Sequence, residues 1–530
     1  MTKLLTYLGT VILIATSSFA GNKIAKDLEN LDPTSTVEVI IQYRQSPTSS
    51  HHRKIERRGG KFHTDLSLIR AGHYSISAAA LAEIEKDDEV VAISPDRQLL
   101  PTLDTTAGAT GFTLAKAAGY TGAGVGVAVV DSGVYSPQYI GSALVYSKNF
   151  TNADSAGDWY GHGTHVAGAI VNSGTSYGGL ASGVKIISLK VLDDRGVGQD
   201  SWVIAAITHA ISLKATYNIR VLNLSVGRPV MESYKTDPLC QAVEQAWKAG
   251  IVVVVAAGNN GRDNTQNTNG YGTITSPGND PYVITVGAMK TNGTVSRTDD
   301  TLASYSSKGP TLFDHIVKPD LVAPGNKVVS TLYYNCNIVS TFPGNKINDN
   351  YFRLSGTSMA APVVSAASAL LIGKNPSLTP DQVKARLMRT ATKTFPYAST
   401  VADPVTGVSY TSHYDVFAVG AGYLDVMAAL NDTTAATGAA LSPAVTRSAN
   451  GYIVSLVFGQ NVVWGDSVVW GSNVVWGDKV IWGTNVVWGE GVVWGFGSLA
   501  GTNVVWGDSV VWGTGTPAAE ATSIAINGEN

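Results

Sequence analysis

Three short stretches carry side chains whose chemistry is complementary. Asp131 ends the apolar, β-branched run Gly126–Val130. His162 sits in Gly161-His162-Gly163-Thr164-His165-Val166, ahead of a small-residue helical stretch, and Ser358 in Ser355-Gly356-Thr357-Ser358-Met359-Ala360, ahead of an Ala-rich one. A serine hydroxyl is a poor nucleophile unless a base takes its proton during attack, and a neutral imidazole does this near neutral pH. A carboxylate behind the imidazole holds its tautomer and stabilises the imidazolium that forms. Singly, each residue has a plainer reading: an Asp after a strand forms turns, a His beside glycines is structural, and a Ser before a helix is an N-cap. Together they fall at strand ends and helix starts, where open α/β sheets collect their functional side chains.

The elements that must position them can be read from periodicity. Short apolar strands are expected near 126–131, 186–191, 220–225, 251–257 and 283–288, alternating with helical stretches near 201–217, 238–249, 357–373 and 379–392. This alternation predicts an α/β fold with a doubly wound, mostly parallel sheet. Thr36 to about Leu100 has a different texture, with strand-like runs at Val37–Ile41 and Val90–Ile93, and reads as a separate small α+β domain ending in an extended linker that contains Pro101. Its four histidines, His51, His52, His63 and His73, read as a solvated surface.

The ordered set Asp131, His162, Ser358, each inside its flanking motif, resembles the subtilisin-like serine peptidases, the subtilase family, and its chain order separates it from other Ser-His-Asp designs. The resemblance implies a subtilisin-like fold and hydrolysis of polypeptides through an acyl-enzyme on Ser358, with His162 as base, Asp131 as its orienting carboxylate and no cofactor required. It assigns catalysis to His162 rather than His165, whose spacing alone would also suit zinc but which lacks an evident third ligand. It places Asn259, in Ala256-Ala257-Gly258-Asn259, as a donor to the oxyanion beside the Ser358 backbone N–H. Two further stretches, Val191–Gly198 with Gly196 and Asn223–Gly227 with Ser225, Val226 and Gly227, resemble the walls that pair with an extended substrate, the first especially that of the proteinase K branch. Neither supplies a deep charged pocket. A segment around Asp320 resembles one that holds a structural calcium or a monovalent ion together with carbonyls near Pro281 and Val283, although a turn-capping Asp reads equally well.

The resemblance also makes residues 36–100 an inhibitor-type propeptide, released by self-cleavage near Leu100 to Thr106, and 104–431 the catalytic domain. Lys3, the apolar Leu4–Ala15 and Thr16-Ser17-Ser18-Phe19-Ala20 predict a signal peptide over 1–20 and hence export; the apolar stretch is short of the ~20 residues a membrane span needs. After a linker at 432–450 comes a repeat region at 451–514 and a tail at 515–530. From Asn461 to Thr514 run nine six-residue units, with Gly at the fifth place of each and Trp at the fourth in all but one. An even period suits a β-repeat or solenoid. The tryptophans suit the repeat's own core, or contact with polysaccharide or the cell envelope, or a removable extension.

Composition limits the rest. The 530 residues require several domains, and 44% apolar with 15% charged residues is the balance of neither a disordered chain nor a multi-pass membrane protein. With 37 basic against 40 acidic residues there is no electrostatic reason to expect nucleic acid. Two cysteines, Cys240 and Cys336, allow at most one internal disulfide and no Cys-based zinc site.

Overall fold

The computed structural model describes residues 23–25, 28, 31–96, 98–101, 109–135, 139–174, 177–265, 268–403, 406–447, short strands between 454 and 493, and Glu529. The expected signal peptide, the cleavage segment beyond Pro101, the end of the expected linker and most of the repeat and tail lie outside these residues.

In β1 (Thr36–Tyr43) the stretch Val39–Tyr43 is buried without alternation because both faces are covered there. Val39, Ile41 and Tyr43 join Tyr74, Ile76, Leu81 and Ile84 in the core of the small domain, whereas Ile40, on the other face, is buried in the core of the larger body. The small domain is an antiparallel sheet of order β2-β3-β1-β4, with β2 at Lys61–Leu66, β3 at Ala71–Ser77 and β4 at Val90–Pro95, and two helices, α1 (Ser49–Glu56) and α2 (Ala78–Glu85). Its inner face is tied down by polar contacts: Gln42 Nε2 donates to Thr236 O at 2.7 Å, and Ser94 Oγ donates to Glu232 Oε1 at 2.8 Å. Of the four histidines here, His63 stays exposed, but the other three are not a solvated surface. The side chains of His51, His52 and His73 are only 11–13% exposed, because α1 packs on the sheet and the sheet packs on the larger body.

A short strand, β5 (Gln98–Pro101), leads to the larger body, where helix α3 (Phe112–Ala117) precedes the central sheet. Its strands are β6 (Gly126–Asp131), β7 (Leu144–Asn149), β8 (Lys185–Lys190), β10 (Ile219–Leu224), β12 (Val252–Ala256), β13 (Ile284–Lys290), β14 (Thr301–Leu302) and β15 (Leu321–Pro324). The order is β14-β13-β12-β10-β6-β8-β7, with β15 beside β13. Every pair is parallel except β13 with β14. Strands buried on both faces lose the in–out alternation of a half-exposed sheet, which is why β12 is an unbroken valine run. Two two-residue strands, β9 (Gly198–Gln199) and β11 (Val226–Gly227), stand apart from this sheet. The helices are α4 (His162–Ile170), α5 (Asp200–Tyr217), α6 (Pro238–Lys248), the short α7 (Asn337–Thr341), α8 (Thr357–Lys374) and α9 (Pro380–Thr390). Each expected strand and helix is present within about two residues at either end. Helix α8 is buried from Thr357 to Ile372, and its run of Ala and Ser lets it lie close to the sheet. In the repeat region, three-residue strands such as Val468–Trp470 and Val474–Trp476 pair antiparallel.

Because Ile40 is wholly buried between the two bodies, Ile40→Ala is expected to destabilise the uncleaved chain by about 2–5 kcal/mol. The measurement is the denaturation midpoint of a Ser358→Ala background, and an unchanged midpoint would contradict this packing.

Candidate functional site

Strand β6 ends on Asp131 and helix α4 begins on His162, and the two meet by a 2.7 Å contact between Asp131 Oδ1 and His162 Nδ1, both side chains fully buried. The same carboxylate oxygen accepts from Ser132 N at 2.7 Å. The approach of helix to strand depends on Gly163: a Cβ there would collide with Gly133 O and come within 3.1 Å of Asp131 Cβ. Asp158 holds the start of the helix. Its carboxylate accepts from Gly161 N, Thr164 N, Thr164 Oγ1 and Ser132 Oγ at 2.6–2.8 Å. Burial raises its pKa, and these four donors act against that. His165, one turn on, points elsewhere. Its Nε2 lies 3.1 Å from Phe352 O, and burial pushes its pKa down to about 3, so it is a neutral structural residue behind the site.

Ser358 lies in the first turn of α8, where backbone N–H groups have no intrahelical acceptor. Its Oγ donates to Ser225 O at 3.1 Å, and its own carbonyl accepts from Ser225 Oγ at 2.6 Å. Asn223 Nδ2 donates to that Ser225 hydroxyl at 2.9 Å, and Ser365 Oγ donates to Asn223 Oδ1 at 2.8 Å. Asn259 is held by one end only. Its Oδ1 accepts from Thr357 N at 2.8 Å and Thr357 Oγ1 at 3.1 Å, while its Nδ2 is buried with no hydrogen-bond partner among the described residues. A buried amide donor left unpaired is costly unless a ligand completes it. Fixing the oxygen orients the amide, so the donor is aimed before any ligand arrives.

Strand β5 is the middle strand of a three-stranded sheet of order β11-β5-β9. Pro101 pairs with Val226 and Leu100 with Gly227 on one side, and Leu99 pairs with Gly198 and Gln98 with Gln199 on the other. The chain thus lays its own backbone, antiparallel, between the two expected walls. Of the expected wall residues, Val226 and Gly227 make the ladder directly. Gly196 does not; it forms the turn before β9, with φ +80° and its α-carbon against the Tyr160 ring.

At Asp320 the structure replaces the expected cation with lysine. Lys384 Nζ donates to Pro281 O and Val283 O at 2.9 Å, Tyr282 O at 3.2 Å and Ser442 Oγ at 2.9 Å, and lies 3.2 Å from Asp320 Oδ1. Lys318 Nζ reaches Asp320 Oδ2 at 2.7 Å and Val283 O at 3.0 Å. An ammonium thus stands at Asp320 where a calcium or monovalent ion was one of the two readings, using the same carbonyls. Burial opposes the charge on Asp320, yet the two lysines hold its carboxyl below the usual range. Burial brings Lys384 down to about 7. Cys240 and Cys336 are both buried and free, so the disulfide is not formed.

The subtilase family model matches residues 122–422, a segment that contains Asp131, His162, Asn259 and Ser358. The chain belongs to the subtilase family. This subtilase is 34% identical over 375 residues to Subtilisin E of Bacillus subtilis (strain 168), covering 67% of this chain and 84% of that protein. It is 40% identical over 278 residues to the Serine protease AprX of the same organism, covering 50% of this chain and 60% of that relative, less than two thirds of its length. Fervidolysin from Fervidobacterium pennivorans, a keratinolytic enzyme related to subtilisin, has a solved structure that matches with a TM-score of 0.59 at 21% identity. The match covers 82% of this chain and 66% of that one, so the two share the fold. By these relationships the protein is a subtilisin-like serine endopeptidase.

Several residues that shape the subtilase's site were not evident from its motifs. Asp158 stands three residues before the N-cap Gly161, so no local capping signal marks it; the fold of the 158–161 turn brings it to the helix start. Asn223 and Ser365 meet only through tertiary packing, and nothing local marks them. Two outcomes follow for this subtilase. Gly163→Ala should lower kcat by about 100-fold, since a displacement near 1 Å at a reacting group has effects of that order, and a kcat within twofold of the parent would refute the contact's role. Lys384→Met leaves Asp320 and three carbonyls facing a methyl group and should destabilise the enzyme by about 3–5 kcal/mol, read from its unfolding midpoint.

Proposed function

We propose that this subtilase is exported, matures itself, and cleaves polypeptides with Ser358 as nucleophile, His162 as general base and acid, and Asp131 as the group that orients His162. The observation that carries the self-processing part is β5: residues Gln98–Pro101 lie paired on both sides between β9 and β11, beside Ser225, whose carbonyl oxygen accepts from Ser358 Oγ. A strand held this way is what an extended substrate would be, and backbone pairing accepts many sequences.

In this reading His162 takes the Ser358 proton as Oγ attacks the carbonyl carbon, and later delivers it to the leaving amine. The negative charge that appears on the carbonyl oxygen is met by Asn259 Nδ2 and the Ser358 N–H, donors needed only once that charge develops. The chemistry is proton transfer and acyl transfer within these side chains and calls for no cofactor. Residues 36–100 act as propeptide and inhibitor because their tail occupies the strand position that a substrate would need. Ser225, Val226, Gly227 and Gly196 are the binding residues of the two walls, the last through the turn it makes. The Val191–Gly198 segment supports placement in the proteinase K-like branch. Export rests on the segment 1–20, and contact with polysaccharide or the cell envelope on the tryptophan repeats.

The test compares the chain with its Ser358→Ala variant, following mass, N-terminus and hydrolysis of denatured casein. Cleavage near 100–106 and casein hydrolysis are expected only in the parent, and equal processing of both chains would refute the assignment. Asn259→Ala should retain self-cleavage with a kcat about 100- to 1000-fold lower.

A further inference from the structure

Three side chains able to bind a metal, with a fourth acidic residue beside one of them, meet on the small domain's sheet. Glu38 lies on β1, His63 on β2, His73 on β3 and Asp96 just beyond β4. Glu38 Oε2 is 3.0 Å from His73 Nε2 and 3.3 Å from His63 Nε2, and His73 Nε2 is 3.3 Å from Asp96 Oδ2. The imidazole rings of His63 and His73 are 4.7 Å apart.

The backbone explains the convergence. Pairing of Ile40 with His73 and of Glu38 with Ser75 puts Glu38 and His73 diagonally on one face of the sheet. The β2–β3 register shifts between Phe62 and Thr64, so His63 is the extra residue of a bulge, a feature that re-aims a side chain. Ser75 Oγ donates to Glu38 Oε1 at 2.6 Å and turns the other oxygen toward the histidines. Asp96 Oδ1 accepts from Ser201 N at 2.6 Å, which leaves Oδ2 facing His73 and the Ser201 hydroxyl. Glu38 Oε2 and His73 Nε2 are buried and have no aligned hydrogen-bond partner among the described residues.

We propose that Glu38, His63 and His73 form a binding site for one divalent transition metal of the zinc class, with Asp96 beside His73 but outside the ligand set. The dimensions support it. Ligands at roughly 2.0–2.2 Å around a tetrahedral ion stand about 3.3–3.6 Å from each other, close to the two Glu38–histidine separations above, and the three ligand atoms all lie within 4.8 Å of one another. Two imidazole nitrogens with one carboxylate oxygen, leaving a fourth position for water, suit zinc better than calcium or magnesium, which take oxygen alone. All three ligands precede residue 101, and Asp96, 3.3 Å from His73 Nε2, caps the start of α5 through Ser201. The ion therefore fastens the small domain's sheet where it rests on the larger body, and it departs with that domain if the two separate.

The test uses the untagged full-length chain carrying Ser358→Ala, stripped with a chelator and titrated with zinc chloride alone. One equivalent should bind by calorimetry and remain after desalting by elemental analysis. Cobalt(II) in its place should give the intense visible bands of a tetrahedral site with imidazole ligands. His63→Ala, at the most exposed of the two histidine positions, should weaken binding by more than the about 10- to 100-fold typical of losing an outer-shell partner. His63→Ala with Glu38→Gln should remove the bound equivalent, with circular dichroism reporting that the fold is kept. No bound equivalent in the parent, or undiminished binding in a folded double variant, overturns the site. If the variants do not fold, the parent decides it: an octahedral cobalt spectrum or none overturns the proposal and a tetrahedral one upholds it. None of these readings depends on peptidase activity.

Discussion

A buried carboxylate at the end of a central strand is the constraint around which this site is organised. Asp131 is fully enclosed, and an ionised carboxylate in such a place must be met by donors or a counter-charge. His162 Nδ1 and Ser132 N meet one oxygen. To bring the imidazole there, α4 has to start within van der Waals contact of the strand end, which is why Gly163 carries no side chain and why Asp158 gathers four donors around the same turn. The parallel sheet supplies the rigid edge that makes such a contact durable.

Across the crevice a second constraint operates on α8. Ser225 and Ser358 exchange two hydrogen bonds between side chain and carbonyl, so the helix start and the end of β10 are fixed to each other. Asn223 and Ser365 brace that pair from behind. Asn259 is oriented by Thr357, the residue next to Ser358, so the amide donor and the hydroxyl move as one unit. The polar groups here are satisfied except where a ligand would sit. That is the pattern of a site whose dipoles are set in advance rather than rearranged during reaction.

The small domain and the lysine pair show two ways in which this chain supplies from within what could otherwise come from outside. β5 supplies the strand that fills the crevice between β9 and β11. Lys384 and Lys318 supply positive charge to Asp320 and to the carbonyls of Pro281 and Val283. In both cases covalent attachment removes the entropy of binding a separate partner. The inner face of the small domain is accordingly rich in groups matched to the larger body: Ile40 in its core, Gln42 on Thr236, Asp96 on Ser201.

The sequence by itself determined the central sheet, the long helices and the positions of Asp131, His162, Asn259 and Ser358. These are local signals: unbroken β-branched runs with glycine-rich motifs at their ends, whose meaning does not depend on what packs nearby. It also located the small domain and the two segments between which β5 pairs. What it left to tertiary structure are facts of convergence. No local pattern distinguishes Lys384, on a helix of mixed composition, from a surface lysine; it is buried because α9 packs where the Pro281–Val283 carbonyls face it. The same holds for the separation of Cys240 from Cys336, for Gly198 rather than Gly196 as the pairing residue, and for the histidines of the small domain. Those histidines have polar neighbours in sequence and so read as surface residues, yet packing in space encloses His51, His52 and His73, while His63 stays exposed. Strand and helix formation depends on nearest neighbours along the chain, whereas burial and pairing of polar groups depend on neighbours in space.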